Sequence, residues 1–187
     1  MISLRRLLPL VLLVALATGL VLVIEGPRRI SGPESVHGPR VLHLRPAAVR
    51  AIEVEAGARH LSATRSPEGW VLDGRPATAP AAEALDALAE TLAGVRALDA
   101  FRPGDRQALG LDPAQAMLTV TTRRGDQRLR LGATNASGGA LYVERDGHPR
   151  AFLVGTGLLS SLDRVFYQRD LAASPRKPET GAAPAAP

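Results

Sequence analysis

The chain has no cysteine. That removes disulfides, thiolate nucleophiles, thiolate zinc sites and a lipidated N-terminal cysteine together. It does not fix the redox compartment, since a cysteine-free chain needs no bridges in an oxidising one. Aromatic residues make up only 3% of the sequence, so a core must be built from Leu, Val, Ala and Ile. Lysine is nearly absent as well: Lys177 is the single example, and almost all positive charge is arginine. At 187 residues there is room for one ordinary domain with appendages.

The formal net charge is +5 and the sequence pI about 10.8, values that invite a nucleic-acid reading. The distribution along the chain opposes it. Residues 1–30 hold four arginines against Glu25, and the tail from Ser174 holds Arg176 and Lys177 against Glu179. The body between them is left with a net charge of only +1. Basicity concentrated at the termini is not a nucleic-acid-binding face, and no nucleic-acid partner is expected.

What is present begins with Leu7 to Ile24, an almost unbroken apolar run between Arg5-Arg6 and Arg28-Arg29. About 18 residues at ~1.5 Å each reach ~27 Å, close to the ~30 Å of a hydrocarbon core. Residues 1–25 therefore read as a transmembrane anchor, with the membrane contacted through residues 7–24. A cleaved leader is the competing reading, because Ala15-Leu16-Ala17 is an A-x-A site. Against it, the chain stays apolar through Gly19 to Ile24. Arg5, Arg6 and the start amine favour a cytoplasmic N-terminus, which puts the protein in the inner (cytoplasmic) membrane as a single-pass chain with its domain outside.

Residues 26–40 are rich in Gly and Pro and read as a linker. Residues 41–172 carry the periodicities of an α+β domain: antiparallel β-hairpins with two packing helices. Ile52 and Val54 alternate with Glu53 and Glu55, and Leu61 with Ser62, before a turn at Asp73-Gly74. A helix follows. Thr78 or Ala79 caps it, Pro80 lies in its first turn, and Leu85, Leu88, Leu92 and Val95 form one stripe. Glu83 and Asp86 lie early in it and Arg96 late, which suits the helix dipole. Phe101 to Asp112 reads as a connector. A second β-block runs from Met117, with turns expected at Gly125-Asp126 and Asp146-Gly147, and ends in a helix carrying Leu158, Leu162, Val165 and Phe166. Leu44-Arg45-Pro46-Ala47 and Leu111-Asp112-Pro113-Ala114 open the two blocks alike, so two pseudo-repeated ββ…α units are expected. Residues 173–187, dominated by Pro, Ala and Gly, read as a disordered tail.

Several of these pieces come in a known order: Gly69-Trp70-Val71-Leu72, the leucine-striped helix, Leu109-Gly110-Leu111-Asp112-Pro113, Leu131-Gly132, Leu141-Tyr142-Val143 and Arg169-Asp170. In this the chain resembles the bacterial family named domain of unknown function 4340, over about residues 44–171. The resemblance implies an envelope-anchored protein whose genes often lie beside ABC-type export systems of the kind linked to gliding motility. It implies an accessory role with a protein partner in the envelope, and it brings no catalytic residues. Longer relatives carry more copies of the domain, so a role that needs several copies is not implied for this chain.

No catalytic motif stands up to weighing. Gly155-Thr156-Gly157 copies part of a dinucleotide fingerprint, but no further strand follows it. His37, His43, His60 and His148 lack ligand spacing. Ser160-Ser161 lacks a nucleophile elbow. Asp99, Asp105 and Asp112 are explained by loop and cap roles. No cofactor, metal or catalytic residue is expected. The candidate contact for an anionic partner is Arg123, Arg124, Arg128 and Arg130, gathered on one hairpin and mostly on its outer face. The expected function is that of a membrane-anchored extracytoplasmic accessory protein. A small-ligand or lipid-binding module is the alternative, with an envelope hydrolase behind it.

Overall fold

We describe the fold over residues 38–173 of a computed structural model. The chain divides between Val36 and His37, and every described residue belongs to the second unit. The run Leu7–Ile24, most of the linker, His37 and the tail from Ser174 lie outside the described residues. No helix among the described residues is long and apolar enough to cross a membrane.

The architecture is mixed α+β: one large antiparallel sheet and two helices. The strands are β1 (Val49–Ala56), β2 (Arg59–Ser66), β3 (Gly69–Leu72), β4 (Arg75–Pro76), β5 (Ala97–Phe101), β6 (Ala116–Thr122), β7 (Gly125–Thr134), β8 (Ala140–Arg145) and β9 (Ala151–Gly155). The helices are α1 (Ala79–Gly94) and α2 (Gly157–Ala173). The sheet has nine strands in the order β4-β3-β2-β1-β6-β7-β8-β9-β5. β1 to β4 are consecutive neighbours, and so are β6 to β9. The two meanders meet at the antiparallel β1–β6 pair, and each is followed by a helix. After α1 the chain crosses to the far edge, where β5 pairs with β9.

Alternation sets the faces of the sheet. Ile52 pairs with Ala63 and Val120, and Val54 with Leu61 and Leu118. All six are buried and share one core with Leu85, Leu88 and Leu92 of α1 and with Leu162, Val165 and Phe166 of α2. Burying each large apolar side chain is worth about 1.5–3 kcal/mol relative to exposure, so the helices are held by their stripes. α1 starts as its residues dictate. Thr78 is extended at the N-cap, Pro80 occupies the first turn, where its missing N–H costs nothing, and the helix ends at Gly94. Asp73 and Gly74 both have positive φ, as a two-residue hairpin turn requires.

Three expectations need correction. A strand that the sequence pattern did not reveal, β5, lies between α1 and the connector and takes Phe101 as its last residue. The β6–β7 turn is Arg123-Arg124, because Thr122 already pairs with Gly125. Thr122 locks this turn: its hydroxyl donates to Gly125 O at 3.0 Å and accepts from Arg124 N–H at 3.1 Å. Finally, Glu83 and Asp86 lie outside the first turn of α1, so a dipole role does not describe them. Asp86 accepts Trp70 Nε1–H at 3.0 Å and also pairs with Arg65. Arg96 lies beyond the helix and donates to Gly38 O at 3.1 Å.

The rest of the connector lies across the outer face of β7 and β8. Ala133 N–H donates to Leu109 O at 2.8 Å, and Arg106 meets Glu144 at 2.7 Å. Leu111 is fully buried but stands apart from the helix-side core. No described segment covers the outer face of β1 and β2 in this way: Glu53, Glu55, His60 and Thr64 are exposed there.

Candidate functional site

The four arginines of the β6–β7 hairpin are not equivalent. Arg123 and Arg124 form its exposed tip. Arg128 and Arg130 lie on the outer face, opposite Thr119 and Met117. Arg130 is matched, because its Nε donates to Asp146 Oδ1 at 3.2 Å. Arg128 borders an open crevice of about 440 Å³ with Asp126, Gln127, Arg145 and Asp146. That crevice holds two cations and two carboxylates, so it offers no net attraction for an anion. Arg145 is also engaged, donating to Val41 O at 3.0 Å, and Asp126 accepts the Thr121 hydroxyl at 2.8 Å.

The unmatched charge is at the tip, and two further arginines join it. Val49 pairs with Thr122, so the start of β1 lies beside the end of β6. Arg50 follows Val49 directly. Arg45 precedes the short 3-10 turn Pro46–Ala48 that leads into β1. Arg45, Arg50, Arg123 and Arg124 are all exposed. Among the described residues no carboxylate pairs with any of them. The β2–β3 turn at the same end carries Glu68, and the arginines outnumber it. Arg45 and Arg50 stand more than 70 residues before the hairpin tip. Only the β1–β6 pairing brings them there, and no local signal in the sequence could have found them.

The residues weighed for chemistry are dispersed into structural roles. Ser161 Oγ is 3.0 Å from Thr91 Oγ1, and Ser160 Oγ donates to Thr156 O at 3.5 Å. Asp105 accepts the N–H groups of Gln107 and Ala108. Asp99 accepts Ala100 N–H. His43 Nδ1 lies 3.2 Å from Arg145, and His148 contacts its own turn at Arg150. Gly155-Thr156-Gly157 is the tight passage from β9 into α2. Among the described residues no three His, Asp or Glu side chains are placed to hold a metal ion. Trp70 is 4% exposed and packs in the core.

The motif order that carried the resemblance, from Trp70 through Leu109–Pro113 to the last helix, is now placed on β3, α1, the outer-face connector and α2. The model of a domain of unknown function (DUF4340) matches residues 70–168. The chain belongs to the DUF4340 family. The match begins at Trp70 in β3 and ends within α2, so it takes in Arg123 and Arg124 and leaves out Arg45 and Arg50. No curated protein and no solved structure matches the chain. Within the DUF4340 span two glycines, Gly110 and Gly132, have steric reasons. A Cβ on Gly132 would lie 2.3 Å from Leu109 O, and one on Gly110 2.8 Å from Ala133 N. Leu109-Gly110-Leu111 and Leu131-Gly132 are thus the two sides of one close backbone contact.

Proposed function

We propose that this DUF4340 protein is a membrane-anchored, extracytoplasmic accessory protein whose domain docks an acidic partner protein of the envelope. The observation that carries the reading is the arginine end: four exposed guanidinium groups, from two distant segments, without a paired carboxylate among the described residues. Arginine presents a planar fork of donors suited to carboxylates, and opposite surface charge speeds encounter and selects partners. The anchor part rests on the length and flanks of Leu7–Ile24. The gene context implied by the family resemblance makes an ABC-type export assembly the first place to look for the partner. We also read the two meander-plus-helix halves as copies of one unit, on the strength of their matching strand order.

Two measurements test this. A single cysteine at Ser174 should be labelled by a membrane-impermeant maleimide in intact cells whose outer barrier is opened; labelling only after lysis would put the domain in the cytoplasm. Co-purification from gently solubilised membranes should return a defined acidic partner, lost on reversal of Arg45, Arg50, Arg123 and Arg124 to Glu. Recovery of the wild-type chain alone in several detergents would remove the reading. The alternative, a small-ligand or lipid-binding module, is favoured by one separate observation, a crevice beneath α2.

A further inference from the structure

At the end of the sheet opposite the arginines, a crevice of about 300 Å³ opens between α2 and the strand ends. Its walls include Val54, Leu131, Leu141, Leu162 and Phe166, all of which belong to the helix-side core. The space exists because the strand ends beneath α2 carry small residues: Ala56, Ala116, Gly132 and Ala133. Polar groups are confined to Arg59, Gln115, Thr134 and Asp163.

Size and polarity together select an occupant. Ligand pockets begin at about 300 Å³, and at about 30 Å³ per water-sized group there is room for about ten such groups. A methylene is of that size. The volume therefore suits one unbranched alkyl chain of medium length and is too small for both chains of a phospholipid. The walls are mainly apolar, with those four side chains as the polar contacts. Arg59 supplies a head-group contact. Its guanidinium carbon lies 4.0 Å from the centroid of the Phe166 ring, which fixes it at the crevice. Arg59 is ion-paired with Asp170 at 3.7 Å, and the five N–H donors of a guanidinium leave room for a second carboxylate.

We propose that this crevice binds a single medium-chain fatty acid, with the alkyl chain under α2 and the carboxylate on Arg59. The site is independent of the arginine end and of any partner bound there. The test uses the full chain in nanodiscs and decanoic acid bearing a terminal diazirine. After irradiation, peptides carrying Leu131–Leu141 and Leu159–Phe166 should be labelled. Ala56→Trp, which plugs the crevice from a partly exposed position, should lower that labelling about tenfold, the equivalent of about 1.4 kcal/mol, and leave labelling elsewhere unchanged. Should this variant lose its circular dichroism spectrum, Ala116→Phe provides the same readout. Arg59→Gln should weaken capture of the acid but not of the corresponding diazirine decanol. Labelling of the crevice peptides that survives both plugs would overturn the proposal. So would their absence from the adducts, or preferential capture of a diazirine phosphatidylcholine over the free acid.

Discussion

Gly132 shows how closely the outer-face connector is fitted. A Cβ there would meet Leu109 O at 2.3 Å and the Leu111 side chain at 3.1 Å. The first neighbour is backbone and cannot step aside without moving the connector. Gly132→Ala should therefore cost about 1–3 kcal/mol, the usual range for overpacking, seen as a lower midpoint in thermal unfolding. Asp86 is the second residue on which a local prediction rests. It accepts the Trp70 indole N–H and pairs with Arg65, and the Arg65 guanidinium also lies 4.5 Å from the Trp70 ring centroid. Asp86→Ala leaves the indole N–H without its acceptor, which costs about 1–3 kcal/mol. Trp70 is the single tryptophan, so its fluorescence reports the change directly, and a red-shifted emission maximum is expected. The place of Asp86 early in α1 points to the helix dipole, whereas the indole that it serves lies 16 residues away on a strand.

At the scale of elements, α1 is held by burial rather than by propensity alone. Leu85, Leu88 and Leu92 have no exposed surface. Leu88→Ala should lower stability by about 2–5 kcal/mol, and amide hydrogen exchange across α1 and β3 should rise accordingly. The hairpins and both helices were legible in the sequence because their signals are local: period-two alternation, the Asp73-Gly74 turn, a leucine stripe with Pro80 near its start. β5 was not. Ala97–Phe101 has little alternation, and its pairing partner β9 lies some 50 residues later. The β6–β7 turn was misplaced for a related reason. Gly125 looked like its centre, whereas the Thr122 hydroxyl, not a glycine, fixes the turn at Arg123-Arg124. That shift moves Arg123 from the outer face of the hairpin to its tip, beside Arg124.

For the whole molecule, a body charge of +1 conceals an uneven surface. Counting along the chain was enough to oppose a nucleic-acid reading. It could not show that Arg45 and Arg50 join Arg123 and Arg124, since that depends on how β1 meets β6. Such exposed charges contribute little to folding. Arg123→Glu with Arg124→Glu should leave stability within about 0.5 kcal/mol while abolishing capture of the acidic partner. Capture by the wild-type chain should weaken steeply from 0.15 M to 1 M salt, as the screening length falls from about 8 Å to about 3 Å. The measurement that bears most directly on the proposed role is photo-crosslinking in native membranes. p-Benzoylphenylalanine would be placed at Arg124 or, as a control on α2, at Tyr167, which is 61% exposed. The account predicts one protein adduct from position 124, lost when Arg45 and Arg50 are changed to Glu, and none from position 167. An adduct from position 167 alone, or one from position 124 that is indifferent to those arginines, would contradict it.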